Sequence, residues 1–185
     1  MRILKNLPTL ETEHLILRKM TLDDARAVFA YASDPDVTRY VIWNMHRTIE
    51  DSKSFLRSLA EGYENAEAAD WGIVCKENGK FIGGCGIVGW SPEHARAELG
   101  YVLSREYWGR GLMPEAVRAM IHFGFERMGL NRIEARCIAE NAASARVMEK
   151  VGMTHEGTLR QREFIKGAYR DIKLYAILKS EYRPR

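Results

Sequence analysis

The chain has 185 residues and a mass of 21.2 kDa, with 46% hydrophobic and 29% charged residues. This is the composition of an ordinary globular domain, and it excludes disordered and fibrous proteins. Lys and Arg number 28 against 25 Asp and Glu, a net charge of +3, and no basic tract predicts nucleic-acid binding.

The amino-terminal part is predicted to form one strand followed by helices. We expect the strand at residues 14–19 and a helix over residues 21–32, capped by the threonine hydroxyl at its start. The Ser-Asp-Pro-Asp segment at 33–36 breaks this helix and starts a short one. Thr48 or Asp51 caps the next helix. The apolar face of that helix is predicted to hold Phe55, Leu59 and Tyr63.

After residue 70 the pattern of hydrophobic residues becomes typical of strands. Predicted strands at 71–76 and 81–90 flank Asn78-Gly79, the strongest short signal for a hairpin. A third strand is predicted at 96–103. Glycines in the middle strand indicate a bulge or a close approach of the backbone, and they are Gly83, Gly84, Gly86 and Gly89.

Helices and strands alternate in the remaining third of the chain. We expect helices over 114–128 and 142–151, and strands over 132–138, 154–164 and 169–178. No linker, repeat or low-complexity stretch divides the sequence, so we predict a single domain over residues 1–185. The order of elements predicts a mixed α/β (α+β) sheet with helices on its faces.

The amino terminus and the cysteines indicate the compartment. The first residues are charged and no apolar run is long enough to span a membrane, so we expect no signal peptide and a cytoplasmic protein. Cys75, Cys85 and Cys137 lack a CxxC spacing, which indicates reduced thiols packed as small apolar strand residues. We expect no metal site, because metal-ligand spacing is missing among His14, His46, His94, His122 and His155.

The segment Trp108-Gly-Arg-Gly-Leu-Met joins a predicted strand to a predicted helix and indicates an anion site. Gly109 and Gly111 let the backbone curl and leave no Cβ in front of the amides of residues 110–113. These amides at a helix start suit a phosphate or pyrophosphate, although the same pattern also occurs in plain turns. Pro114 fits the first helical turn but excludes a dinucleotide fingerprint, and a P-loop Gly-Lys-Ser/Thr is missing.

A second segment, Asn-Ala-Ala-Ser at 141–144, begins the next predicted helix. Asn141 or Ser144 can cap this helix, and Gly152 is a natural residue to end it. Its buried face is predicted to hold Val147, Met148 and Val151. An ordinary capped helix accounts for this segment on its own, but not for its combination with the glycine turn.

Together these two segments resemble the GNAT acyltransferases, the Gcn-five-related N-acetyltransferases. Within that superfamily the chain is similar to the RimJ/RimL-type branch, named for enzymes that acetylate ribosomal-protein amino termini. The resemblance covers nearly the whole sequence, from Leu10-Glu-Thr-Glu-His to Gly167-x-Tyr-x-Asp. Trp108 stands where the superfamily commonly has Gln or Arg, and Met113 replaces a small residue. The amide cradle tolerates both departures because it uses backbone atoms.

The resemblance implies the GNAT fold, a mixed twisted sheet of about seven strands with helices on both faces. It also implies an acetyl-CoA-dependent N-acetyltransferase that moves the acetyl group directly to a primary amine, without a metal. The acceptor would be a protein or ribosomal-protein N-terminal α-amine, or alternatively a polyamine, an antibiotic or an amino acid. A non-catalytic acetyl-CoA-binding module is a further alternative. Many members of this family are dimers, so the resemblance allows a homodimer, which the sequence itself does not decide.

The resemblance also implies which residues act. Ser144 is expected to hydrogen-bond the departing thiolate, and Glu98 or Glu163 to take a proton through water. Trp43 and His46 are expected to line the acceptor pocket. Each of these side chains could instead be a helix cap, an ion-paired group or a packing residue. The residues expected to bind acetyl-CoA are Tyr101, Val102, Leu103, Gly109, Arg110, Gly111, Leu112, Met113, Asn141, Ser144 and Arg146.

Overall fold

Eight strands form one sheet in the computed structural model, which describes residues 7–183. The strands are β1 (Leu10–Glu11), β2 (Leu15–Arg18), β3 (Asp70–Cys75), β4 (Phe81–Ser91), β5 (Arg96–Leu103), β6 (Arg132–Ile138), β7 (Thr154–Ile165) and β8 (Ala168–Leu178). Their order across the sheet is β1-β2-β3-β4-β5-β6-β8-β7, and only β5 and β6 pair in parallel. The α/β fold class is confirmed, and the short edge strand β1 brings the predicted seven strands to eight.

Five helices accompany the sheet. They are α1 (Ala25–Ala32), α2 (Pro35–Thr38), α3 (Ile49–Glu64), α4 (Leu112–Glu126) and α5 (Ala142–Lys150). Helix α4 begins two residues earlier than predicted, because Gly111 serves as its N-cap and Pro114 still falls in the first turn. Within residues 7–183, no helix combines the length and apolar character that a membrane crossing needs.

Capping boxes start the first two long helical segments. Thr21 precedes a short 3-10 turn at Leu22–Asp24 that leads into α1, and the Asp24 carboxylate accepts from the Thr21 amide at 2.8 Å. Thr48 is the N-cap of α3, and the Asp51 carboxylate accepts from its amide at 2.9 Å. Both candidates for the α3 cap therefore act together, because each satisfies an amide that the helix leaves free.

The predicted buried face of α3 is wrong at one residue. Leu59 and Tyr63 are buried, but Phe55 is 39% exposed, and Ser52 and Leu56 complete the buried face instead. A strict spacing of four residues drifts away from the helical period of 3.6, whereas steps of four, three and four follow it. The Phe55 ring is thereby directed toward a cavity instead of the core.

The sheet separates two packed layers. Trp71 on β3 meets Phe123 of α4 edge to face, with ring centroids 5.4 Å apart. The neighbouring Gly72 points to the opposite face, where the Phe81 ring covers it and stacks on Tyr31 of α1. Helices α1 and α3 therefore cover one face and α4 covers the other. The three cysteines are buried in strands, as predicted, at Cys75, Cys85 and Cys137.

A gap opens in the middle of the sheet between β5 and β6. These strands pair only from Arg96–Arg132 to Leu99–Ala135. Beyond this point β5 pairs with β4 alone and β6 with β8 alone, so residues 100–103 and 136–138 border the gap. The register of β4 against β5 also shifts between Ile87 and Gly89, which confirms the predicted bulge.

Candidate active site

The turn between β5 and α4 is built on two glycines in the left-handed region. Gly109 has a φ of +76° and Gly111 a φ of +81°, which other L-residues adopt only with strain. The indole N–H of Trp108 donates to the Leu103 carbonyl at 2.8 Å and holds the turn against the end of β5. This contact gives Trp108 a structural role in the turn.

The backbone amides of this turn make no hydrogen bond to the rest of the described chain. Among residues 7–183, the N–H groups of residues 109–113 have no hydrogen-bond acceptor. A Cβ built on Gly109 or Gly111 meets no atom within 4 Å, so open space lies in front of both residues. A run of free N–H groups at a helix start suits an anion with several oxygens.

A cavity of about 590 Å³ extends from this turn along β5 and α5, and we call it the turn cavity. Three basic residues line it against two acidic ones, which adds to its suitability for phosphates: Arg39, Arg146 and Lys150 against Asp36 and Glu140. The guanidinium of Arg110 lies over the Tyr107 ring, 5.1 Å from its centroid, and Arg110 is outside the set of residues that line this cavity. The other predicted donor-binding residues all line the turn cavity: Tyr101, Val102, Leu103, Gly109, Gly111, Leu112, Met113, Asn141, Ser144 and Arg146.

Ser144 is joined to Tyr101 across the gap between β5 and β6. Its hydroxyl lies 2.9 Å from the Tyr101 hydroxyl, which also donates to the Ser144 carbonyl at 3.2 Å. Asn141 is the N-cap of α5, because its side-chain oxygen accepts from the Ser144 amide at 3.1 Å. The Ser144 hydroxyl is therefore not needed as the cap. Burial raises the pKa of the Tyr101 phenol, so this group keeps its proton.

A second cavity, of about 630 Å³, lies on the other side of this hydroxyl pair. Trp43, His46 and Phe55 line it, and we call it the aromatic cavity. Burial lowers the pKa of His46, whose Nδ1 lies 2.8 Å from the Ser52 hydroxyl, so the ring is neutral at pH 7. Six residues line both cavities and mark where they meet: Tyr40, Val41, Tyr101, Val102, Asn141 and Ser144.

Glu98 and Glu163 both line the aromatic cavity, and one guanidinium holds them together. Arg136 donates through Nε to Glu98 at 2.8 Å and through a terminal nitrogen to Glu163 at 2.7 Å. Such charge-assisted bonds fix both carboxylates in place. In each case the bond engages Oε1, so the second carboxylate oxygen is left for another partner.

Asp70, at the start of β3, is a cavity residue that the sequence did not indicate. Its carboxylate lines the aromatic cavity, and no cationic side chain of residues 7–183 lies within ion-pair distance of it. Burial raises its pKa to about 6. The sequence signal was weak because a lone Asp before an apolar strand is typical of a turn. Within the described residues no three His, Cys, Asp or Glu side chains form a metal-binding group.

Comparisons with known proteins converge on one family. A family model described as an acetyltransferase (GNAT) domain matches residues 14–154. The uncharacterized N-acetyltransferase p20 of Bacillus licheniformis is 37% identical over 94% of this chain and 98% of that protein. The crystal structure of a GNAT-family acetyltransferase from Bacillus anthracis has a TM-score of 0.84 at 32% identity, covering 94% of this chain and 100% of that one. The ribosomal-protein-S5-alanine acetyltransferase of Vibrio fischeri has a TM-score of 0.77 at 28% identity, over 96% of this chain and 100% of that one.

Proposed function

This chain belongs to the GNAT acetyltransferase family, and we propose that it moves an acetyl group from acetyl-CoA in the turn cavity to a primary amine in the aromatic cavity. The observation that carries this proposal is the meeting of the two cavities at Tyr101 and Ser144. A donor in one cavity and an acceptor in the other would touch at that point. Direct transfer within a ternary complex needs this proximity and no acyl-enzyme.

The residues of the turn cavity fit the donor. When bound, acetyl-CoA supplies an acetyl group activated as a thioester. The free amides of residues 109–113 suit its pyrophosphate, and Arg146 and Lys150 supply positive charge in the same cavity. Asn141 lines the same cavity and suits the amide groups of pantetheine. Because a Cβ at Gly109 or Gly111 would project into the open space before these amides, glycine keeps the cradle accessible.

Hydroxyl and amide groups at the gap are suited to the charges that develop during transfer. Ser144 donates a hydrogen bond to the departing thiolate. The oxygen of the Ser144 hydroxyl then accepts a hydrogen bond from the protonated Tyr101 phenol. Backbone N–H groups of β5 that face the gap beyond Leu99 stabilise the oxyanion, as preorganised donors do in other acyl transfers. Glu98 or Glu163 accepts a proton through water with the oxygen that Arg136 leaves free.

A protein N-terminal α-amine is the first candidate acceptor. The Vibrio fischeri relative supports it, since its name specifies a ribosomal-protein alanine. An α-amine has a pKa near 8 and loses its proton more readily than a lysine. The second candidate is a small-molecule amine. The aromatic walls and the volume of about 630 Å³ favour it, because both are typical of small-ligand sites.

A thiol-release assay with acetyl-CoA tests the proposal. The acceptor panel contains ribosomal-protein N-terminal peptides, polyamines, aminoglycosides and free amino acids, and acetyl-CoA binding is measured by calorimetry alongside. We expect turnover with one class of amine. Ser144→Ala is expected to bind acetyl-CoA normally and to lose about 10- to 100-fold in turnover. Tight acetyl-CoA binding without turnover would favour the non-catalytic module, and no binding would refute the donor assignment.

A further inference from the structure

Asp70 is the carboxylate of the aromatic cavity that has no cationic partner among residues 7–183. The other two carboxylates that line this cavity, Glu98 and Glu163, share the guanidinium of Arg136. Burying a carboxylate without a countercharge is costly, and the Ala69 amide offsets only part of that cost, so the position of Asp70 calls for an explanation. The missing cation can come from a ligand.

The strand register places the Asp70 carboxylate near the gap in the sheet. Asp70 pairs with Gly86, and Gly86 pairs with Gly100, so the three residues lie side by side on β3, β4 and β5. A Cβ at Gly86 would overlap Asp70 Oδ1, which shows that the carboxylate lies over this glycine. Gly100 is the first β5 residue beyond the pairing with β6. Neighbouring strands are roughly 4.8 Å apart, so the carboxylate lies about one strand spacing from β5, the strand that borders the gap.

The charge and the walls of the aromatic cavity select a class of ligand. Three carboxylates and one guanidinium line it, a net charge of −2 while His46 is neutral. The rings of Tyr31, Trp43 and Phe55 form apolar walls. A cation attached to an apolar, ring-sized body matches both features, and an anion matches neither.

We propose that Asp70 binds the ammonium group of the acceptor and takes the first proton from it. This inference rests on the proposed function. The ammonium gives one proton to Asp70 and thereby frees the nitrogen lone pair, which forms a bond with the thioester carbonyl carbon. The second nitrogen proton passes through water to Glu98 or Glu163. The C–S bond then breaks and its electron pair leaves with the sulfur as a thiolate, which takes up one of the two released protons through water while the other passes to solvent.

A carboxylate with a pKa of about 6 is a stronger base than an exposed one and is still ionised at pH 7. Tyr31 from α1, Tyr63 from α3 and Cys85 from β4 interact with the Asp70 charge, and burial raises the pKa of each, so they stay neutral. The other titratable and charged groups that line the cavity are Tyr40, His46, Glu98, Tyr101, Arg136, Cys137 and Glu163. Of these, His46 is the group whose contribution to the pH dependence has to be distinguished by experiment from that of Asp70.

Binding of an isosteric pair of probes tests the proposal without turnover. We would measure the affinities of 2-phenylethylammonium and 2-phenylethanol at pH 7.5 by calorimetry, in the wild type, Asp70→Asn and Asp23→Asn. Asp23 is an exposed carboxylate outside the cavity and serves as the matched control. We expect the wild type and Asp23→Asn to prefer the ammonium at least tenfold, and Asp70→Asn to bind both probes alike. A preference that survives in Asp70→Asn, or is missing from the wild type, overturns the proposal.

The pH dependence of probe binding to the wild type tests the proposal even if Asp70→Asn does not fold. Ammonium affinity should rise as the pH increases through about 6, because Asp70 ionises, while the affinity for the alcohol stays flat. His46→Gln should keep this rise, and its loss in that variant would overturn the assignment to Asp70. Failure of the proposed function would appear separately, as no thiol release by the wild type with any amine of the panel.

Discussion

At the scale of single residues, the charged Asp70 carboxylate lowers the free energy of unfolding of the protein. Burial raises its pKa from 3.8 to about 6, so the folded protein disfavours the charged form. The resulting destabilisation is absent below the unfolded pKa, grows as the pH rises, and is complete above about 6. A group retained at such a cost is typical of a functional site.

Asp70→Asn is therefore expected to stabilise the protein while it weakens amine binding. The gain in the free energy of unfolding should be about 1–3 kcal/mol at pH 7, because each pKa unit corresponds to about 1.4 kcal/mol. Urea denaturation of the wild type and the variant at pH 4 and pH 7 measures it, and the difference should nearly vanish at pH 4. A variant that is less stable at pH 7 would show that the carboxylate holds the fold together.

The residue types in the sequence predicted several side chains of the site, but not which of these side chains contact one another. Trp43, His46, Glu98 and Glu163 were predicted near the acceptor, and all four line the aromatic cavity. Their pairing is not visible in the sequence, since the partners come together only through the tertiary fold. Arg136 reaches Glu163 over 27 positions, and Tyr101 reaches Ser144 over 43 positions. Asp70 was missed for the same reason, because its neighbours Gly86 and Gly100 lie on other strands.

At the scale of elements, the glycine turn before α4 can be tested with a matched pair of glycines. Gly111 and Gly129 have φ values of +81° and +67°, and a Cβ at either meets no protein atom within 4 Å. Alanine at either position should therefore cost a similar amount of stability, about 1 kcal/mol, from backbone strain.

The two alanine variants should differ in acetyl-CoA binding. Gly111→Ala is expected to raise the Kd for acetyl-CoA at least tenfold, because the new methyl group projects in front of the free amides. Gly129→Ala lies outside the turn cavity and should keep the wild-type Kd. Calorimetry measures both values, with urea denaturation to compare stability. Equal Kd values for the two variants would show that the glycine turn does not bind acetyl-CoA.

Element boundaries were predictable where the signals are local. Strands 96–103 and 132–138 were placed correctly to the residue, because alternating side chains and turn residues mark them. Asn78-Gly79 marked the hairpin between β3 and β4, and Gly79 has the positive φ that the turn needs. The two-residue strand β1 is too short to show a period. Phe55 was misplaced because its spacing fits a helix face only approximately.

At the scale of the whole molecule, one parallel pair in an otherwise antiparallel sheet shapes the site. Strands β5 and β6 separate after Leu99 and Ala135, and the two cavities meet in that gap. Pairing between strands that are distant in the sequence leaves no mark on local hydrophobic periodicity, so the hydrophobic pattern could not predict this gap. The gap allows a donor and an acceptor to approach from different sides.

The initial rate of thiol release, with acetyl-CoA and the best amine of the panel both varied, tests this account most directly. If both cavities must be filled before transfer, the double-reciprocal lines intersect, and mass spectrometry of the protein incubated with acetyl-CoA alone finds no added acetyl group. Parallel lines together with an acetylated protein would contradict direct transfer, because they show that the donor leaves before the acceptor binds.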